Sequence, residues 1–551
     1  MLRASPVRGV AMKSLLHRKV STVPERHRHL AALPRGDSRV FLSWRLLSSD
    51  APREPFHVER GRGGSWERAT SSPITDSTNL LDTTPDLDSY DYRVVDSSGD
   101  TSESVTVNSG ADPSVAVLDC EIELGESWPS LIVGDLQNTG RMGAIIRTAF
   151  EGNIHFIAYD QDENRLWKFD TKLPSKGGWD GSMQHAPFLC WDINGDGRTE
   201  FVTHAYDGAY PKVDYDTALD GELLIALDAE TGDVVWKTAW PAMKSRVMMT
   251  VGHIRGIDKP PAVVVQDETY GDIVLTAIDG KSADLLWRIE QPRAGGHNLD
   301  IADIDGDGVQ EVIAGGICYN GNGTIRWEAE PFGHTDISKP ARIVPGMEGM
   351  QICYAVENPK EQTGVYLLDN KGKTLWKEFF HHAHYGWIAR HAPGVDGLHP
   401  HVAEDGRRET RDHFPIFLPD GSTWLNLSDW QRKNFVPVSW DERPEVVFVL
   451  RKENKRIVRL LESGELEELP GSKLPEGGKY ERNLGCVDVV GDFRENIVAL
   501  DIERNRLMIL MNPTVATRRG YSPMDDFEYR HDRSQLGSGY YIYLSPPVTT
   551  V

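Results

Sequence analysis

The sequence predicts an all-β protein, an eight-bladed β-propeller preceded by a small β-sandwich. A unit of about 50 residues recurs eight times, the length of a propeller blade. Each unit reads as four short strands separated by turns, and no helical period intervenes, which favours a propeller over a solenoid. Two units also carry an acidic glycine loop at the same place, Asp192-Ile-Asn-Gly-Asp-Gly-Arg-Thr-Glu200 and Asp303-Ile-Asp-Gly-Asp-Gly-Val-Gln-Glu311.

Along the chain, residues 1–35 are rich in arginine and histidine and lack the apolar run of a signal peptide. They read as an extension, either disordered or upstream of the true start, with Met12 as an alternative start. Residues 36–112 read as the sandwich: Val40–Leu47, Phe56–Arg60 and Tyr90–Val95 alternate like half-buried strands, with Ile74–Asp82 as a short edge segment. A strand tryptophan followed by a Tyr-x-Tyr-x-Val strand makes this unit fibronectin type III-like. A linker rich in Ser, Thr, Gly and Asp leads into the propeller, residues 113–551.

The propeller units open at Val133, Cys190, Val251, Ile301, Pro340, Ile388, Val436 and Val487. Seven openings lead through a turn to a second apolar strand; the sixth runs into His399-Pro-His-Val, a poor fit. The later halves end in a strand carrying Trp167, Trp236, Trp287, Trp327, Trp376 or Trp424, expected to pack between blades. A strand within residues 114–125 is expected to close the eighth blade.

The 60 basic and 83 acidic residues leave a net charge of −23, which disfavours nucleic acid and anionic membranes as partners. The five scattered cysteines include no CxxC pair and read as buried thiols. No apolar run is long enough to span a membrane. The chain is expected to be a monomer.

Hard cations take oxygen ligands at alternate positions of a tight loop. The first loop offers Asp192, Asn194, Asp196, the Arg198 carbonyl and Glu200; the second offers Asp303, Asp305, Asp307, the Val309 carbonyl and Glu311. The expected cofactor is Ca2+. The alternative is a metal-free Asp/Gly hairpin. The twelfth positions are Thr203 and Ala314, so these are not EF-hands. Asp135-Leu-Gln-Asn-Thr and Asp488-Val-Val-Gly-Asp492 occupy the corresponding place without the full ligand set.

The loops resemble the calcium loops of FG-GAP-like propeller repeats in integrin α-chains. Taken with Trp44-Arg-Leu-Leu, Pro73-Ile-Thr-Asp-Ser-Thr-Asn, Gln184-His-Ala-Pro-Phe-Leu, Gly296-His-Asn-Leu-Asp, Gly333-His-Thr-Asp336 and Arg530-His-Asp-Arg533, they resemble rhamnogalacturonan lyases of polysaccharide lyase family 11. The resemblance implies a calcium-binding eight-bladed propeller that cleaves a uronate-containing polysaccharide by β-elimination outside the cytosol. The chain departs from the family where an arginine-rich stretch becomes Asp267-Glu-Thr-Tyr-Gly-Asp272 and a Thr-Ala-Asp-Gly element becomes His204-Ala-Tyr-Asp-Gly208.

β-Elimination removes the proton on C5 and expels the oxygen on C4. It needs a positive group on the C6 carboxylate and a base tuned near neutral pH. His185, His297 and His334 match family positions, stand just before inner strands, and are the candidate catalytic residues. Asn298, Asp300 and Asp336 are candidates for ligating a metal or orienting those histidines. A second cluster between residues 381 and 413, including Tyr385 and Arg390, reads either as a substrate loop or as a solvated surface loop. Two other functions stay open: a non-catalytic carbohydrate-binding or adhesion propeller, and a glycosidase, which needs two carboxylates in one pocket.

Overall fold

The computed structural model describes residues 28–125, 129–175, 186–211, 220–242, 246–268, 272–292, 296–330, 332–356, 363–404, 413–450, 456–473 and 484–535. Two antiparallel sheets form the N-terminal sandwich. One holds Ala31–Pro34, Arg39–Ser43 and Asn79–Thr83; the other holds Ser65–Arg68, His57–Arg62, Ser89–Val95 and Val105–Asn108. Alternation along these strands sends Val40, Leu42, Trp44, Phe56, Val58, Tyr90, Tyr92 and Val94 into one core. Residues 28–35, grouped with the extension on composition, belong to this fold. Ala31–Pro34 pairs with Arg39–Ser43, and Arg28 is held by Asp50 and Asp96 at 2.6 and 2.8 Å.

Among the described residues, eight four-stranded antiparallel sheets follow; the first seven run outward in chain order from the inner strand, and so do the first three strands of the eighth. The inner strands of blades 1 to 8 are Ser130–Gly134, Phe188–Trp191, Arg246–Gly252, Leu299–Ala302, Thr335–Ala341, Ala383–Ala389, Phe435–Val438 and Leu484–Val487. Blade 8 borrows its outermost strand from the beginning of the propeller, Ala116–Glu121 pairing with Arg506–Leu510. The ring is therefore closed by the segment the sequence suggested. His399–Glu404, the poor fit, forms the second strand of blade 6.

The tryptophans explain why the unit repeats. Trp167, Trp236, Trp287, Trp327 and Trp376 sit on outer strands, and each of these five donates its indole N–H to a carbonyl in the last turn of the next blade. Trp167 reaches Ala229, Trp236 reaches Gly280, Trp287 reaches Gly321, Trp327 reaches Asn370 and Trp376 reaches Pro419, at 2.7–3.1 Å. The indole face covers the same turn so closely that a Cβ on Gly421 would lie 2.7 Å from the Trp376 ring, and its φ is +89°. Glycine there supplies both the left-handed backbone and the space.

The ring has two faces. Turns joining first to second strands, including both acidic loops, lie on one, called here the loop face. The leads into the inner strands lie on the other, the mouth face. At the centre, helix Phe527–Ser534, capped by Asp526, fills the channel. Phe527 packs edge-on against Trp191 of blade 2, and Tyr529 donates to Glu495 of blade 8 at 2.8 Å. Arg533 pairs with the same Glu495 at 2.7 Å.

The sandwich docks on the seam between blades 8 and 1. Arg45, only 3% exposed, reaches across both degenerate loops: its Nη1 donates to Gly140 of blade 1 at 3.1 Å, and its side chain lies against Gly491 of blade 8. Beside it Ser43 donates to Asp492 at 2.8 Å, and Leu33 and Phe41 share an apolar cluster with Val490 and Met511.

Candidate metal centre on the mouth face

His297 leads into the inner strand of blade 4, His334 leads into that of blade 5, and Asp336 is the second residue of the blade 5 strand. Neighbouring inner strands should leave such leads side by side, and a parallel bridge from Gly296 to Thr335 does so. The His297 amide donates to the Thr335 carbonyl at 2.9 Å, and Gln266 of blade 3 donates to the Gly296 carbonyl at 2.9 Å. The two imidazoles meet edge to face with centroids 4.6 Å apart.

Asp336 sits among the rings. Its Oδ1 is 3.8 Å from His297 Nε2 and 3.7 Å from His334 Nε2, and its Oδ2 is 3.8 Å from Nε2 of His382, which leads into blade 6. These distances exceed a hydrogen bond. They are the separations expected of groups that share one cation with bonds of about 2.0–2.6 Å. His297, His334 and Asp336 are 4%, 6% and 2% exposed, and their ligating atoms all lie within 4.8 Å of one another. Buried charge of this kind is held only when paired or metal-bound. The donor set thus fits a divalent cation, and nitrogen ligands widen the choice beyond calcium.

Asn298 and Asp300 point elsewhere. The Asn298 amide donates to Ser338 Oγ, and Asp300 pairs with Lys339 at 2.8 Å. They brace the strands that carry the cluster. His185 lies outside the described residues, as does the side chain of Tyr385. Arg390 follows the inner strand of blade 6 rather than leading into it, so it sits on the loop face, 3.9 Å from Asp396. Within the cluster of residues 381–413, His391, His399 and His401 are buried, at 4%, 0% and 1% exposed, and residues 405–412 lie outside the described residues. Sequence reasoning placed His382 in that cluster and missed its approach to Asp336; its place just before an inner strand was the available signal.

In the acidic loops the carboxylates accept the loops' own amides. Asp192 accepts the amides of Gly195, Asp196 and Gly197 at 2.7–3.1 Å, Asp196 accepts that of Arg198 at 2.8 Å, and Glu200 accepts that of Ile193 at 3.0 Å and the Asn194 side-chain amide at 2.8 Å. Burial pushes the Glu200 carboxyl up to about 8, so a cation that favours its charged form would be welcome there. The Arg198 side chain turns to Asp228 and Glu230, at 3.0 Å from each.

In the second loop Asp303 accepts Gly306 and Gly308, Asp307 accepts Val309, and Asp303, Asp305 and Glu311 come within 4.8 Å of one another. Here a protein cation already takes part: Arg326 binds Glu311 at 2.7 Å and also Asp305. Burial pushes Glu311 up to about 7, with Arg326 opposing. In the sequence a histidine stands ahead of each loop, His185 before the first and His297 before the second. The second pair lies apart, because six residues from His297 to Asp303 span roughly 20 Å of strand.

The ring thus carries acidic loops on one face and a buried His/Asp cluster at the mouth of the other. A family model described as "Rhamnogalacturonan lyase family 11, C-terminal domain" matches residues 225–550, and "Rhamnogalacturonan I lyases beta-sheet domain" matches residues 22–109. The chain belongs to rhamnogalacturonan lyase family 11.

Among its relatives, the rhamnogalacturonan exolyase YesX of Bacillus subtilis (strain 168) is 24% identical over 397 residues, 61% of this chain and 63% of that protein. The endolyase YesW of the same organism is 23% identical over 605 residues, 95% of this chain and 91% of that protein. The crystal structures of YesX and YesW superpose with TM-scores of 0.76 and 0.75 at 21% identity, covering 95% of this chain and 95% and 96% of theirs. A Bacillus licheniformis rhamnogalacturonan lyase gives 0.73 at 23% identity, covering 95% of each chain.

Proposed function

We propose that this protein cleaves a rhamnogalacturonan-type polysaccharide by β-elimination, using a divalent cation held by His297, His334 and Asp336. The observation that carries the proposal is one carboxylate set 3.7–3.8 Å from three imidazoles on the mouth face of a family 11 propeller. A cation bound there supplies the positive charge that acidifies the C5 hydrogen of a uronate. The protein does the rest. Burial of Asp336 and the two leading histidines fixes the positive region, and His382, whose side chain is 19% exposed, is the imidazole of the group open to a sugar. A single carboxylate ringed by imidazoles is not the pair of carboxyls that glycoside hydrolysis requires.

The loops are proposed as calcium clamps on blades 2 and 4, remote from the reaction, and a wall polysaccharide as substrate implies work outside the cytosol. Among the described residues, no helix is long and apolar enough to cross a membrane.

The test is incubation with rhamnogalacturonan and other uronate polymers, read as the ultraviolet absorbance of unsaturated uronide ends. Wild type should generate that absorbance, chelation should remove it, and calcium or manganese should restore it. The His297→Ala/His334→Ala protein should lose at least about 100-fold in rate, the upper range for disturbing a metal site. Reducing ends without the absorbance would make the protein a hydrolase, and full activity in the double variant would clear the cluster of any role.

A further inference from the structure

Resting on the metal centre proposed above, we propose that Asp532 of the channel helix is a positioning residue for that centre: acting through Lys339, it sets the spacing of the two inner strands that supply the ligands. Those strands belong to different blades, so nothing within either blade fixes the distance from His297 to His334 and Asp336. Three successive rungs do so instead. Down the seam they are the His297 amide on the Thr335 carbonyl, Asn298 with Ser338, and Asp300 with Lys339.

The third rung is completed only by the helix. Lys339 Nζ lies 2.8 Å from Asp300 and 2.6 Å from Asp532, with the three side chains 9%, 16% and 9% exposed. Burial alone would lower the lysine, but the two carboxylates together hold it above its ordinary range, so it stays charged. A charged ammonium sunk in a fully buried strand must sit where both carboxylates can reach it. That location ties blade 4, blade 5 and the helix to one point.

Asp532 is itself fixed from the far side of the channel. Its other oxygen takes Arg533 at 2.9 Å, and Arg533 is held by Glu495 of blade 8 at 2.7 Å. The helix is therefore a strut from blade 8 to the seam under the cluster. Metal affinity is sensitive to ligand placement at the scale of a few tenths of an ångström. Removing the strut's charge relaxes the seam without unfolding either blade.

The experiment is a Co2+ titration of the chelator-stripped intact chain, followed by the d–d absorption that imidazole ligands confer. His297→Ala/His334→Ala is the control that assigns the band, since the acidic loops offer oxygen alone. The isosteric Asp532→Asn should weaken Co2+ at that band by about tenfold, in the range for a residue that orients ligands, and Asp532→Glu should recover most of the affinity. A melting temperature recorded on each variant separates a loosened seam from a lost fold. An Asp532→Asn affinity within twofold of wild type overturns the inference, however far its melting temperature moves. A wild type without any histidine-dependent band sinks the metal centre itself, and the positioning role with it.

Discussion

The Nδ1 of His399 accepts the backbone amide of His391 at 2.8 Å, and that of Ala392 at 3.0 Å. The same place at the head of the second strand is held in blade 5 by Gln351, which accepts Ile343 and Val344 at 2.9 and 2.8 Å, and in blade 8 by Asn496. Histidine can do this only while neutral. Burial, with Arg390 nearby, lowers His399 to about 4; burial also holds His401 at about 3, with Arg432 adding to the effect. His391 lies well below its ordinary value for the same reason, and His531 at about 4.

These shifts fix the sign of a pH effect. Folded-state values below the unfolded value of about 6.5 mean that the unfolded chain binds more protons as pH falls. The stability these histidines contribute is full above about pH 6.5 and is lost as pH falls toward 4, on the order of 1–3 kcal/mol for each group. Urea midpoints at pH 7 and pH 5 should differ clearly for wild type. His399→Gln, borrowing the solution of blade 5, should shrink the difference; an unchanged difference would show that this acceptor does not titrate with folding.

Calcium should stabilise the two loops unequally. At a hundredfold excess over its dissociation constant an ion contributes about 2.7 kcal/mol per site, so chelation should lower the melting temperature. Glu200→Gln should remove most of the first loop's share. Because Arg326 already pairs with Glu311 and Asp305, Arg326→Met should make the second loop more responsive to calcium. A calcium-dependent melt identical to wild type would contradict the idea that the guanidinium competes there.

Arg45 faces two carboxylates in loops that lack the full ligand set. Burial raises Asp135 and pushes Asp488 up to about 7, and Arg45 opposes both shifts. Arg45→Met should cost about 3 kcal/mol, the scale for stranding buried charge. Asp488→Asn should offset part of that loss in a double-mutant cycle, with a coupling above about 0.5 kcal/mol. Strictly additive effects would mean that the arginine serves only as packing.

At Gly421, a methyl group would meet the Trp376 ring at 2.7 Å on a left-handed backbone. Gly421→Ala should therefore destabilise by roughly 1–3 kcal/mol. A denaturant midpoint equal to wild type would show that the turn can move off the indole.

The ring was legible because its repeat is written in large residues. The outer-strand tryptophans and the turns they cover recur in register, and the acidic loops mark the same corner of two blades. Blade 6 was the exception, since His399 stands where blades 2, 4, 5 and 8 show Glu, Gln or Asn, and a neutral imidazole accepting two amides leaves no pattern in a sequence. His297 and His334 were visible from their positions ahead of inner strands, and Asp336 from its place at the start of one. The partners that complete their surroundings were not. Lys339 looks like a stray cation in a short strand, and Asp532 lies 193 residues away from it. Nor does adjacency in sequence report adjacency in space, as the strand between His297 and the Asp303 loop shows.

The borrowed strand of blade 8 sets a timetable for synthesis. Asp119 meets Arg506 across 387 residues, and closing so long a loop costs on the order of 5 kcal/mol in chain entropy. At ribosomal rates of 5–20 residues per second, Ala116–Glu121 waits roughly 20–80 s with an unpaired edge. Seven blades must form beside an open gap in the meantime. A nascent chain stalled before Leu510 would present that gap to its neighbours, and the ring would be open to joining the wrong copy of itself.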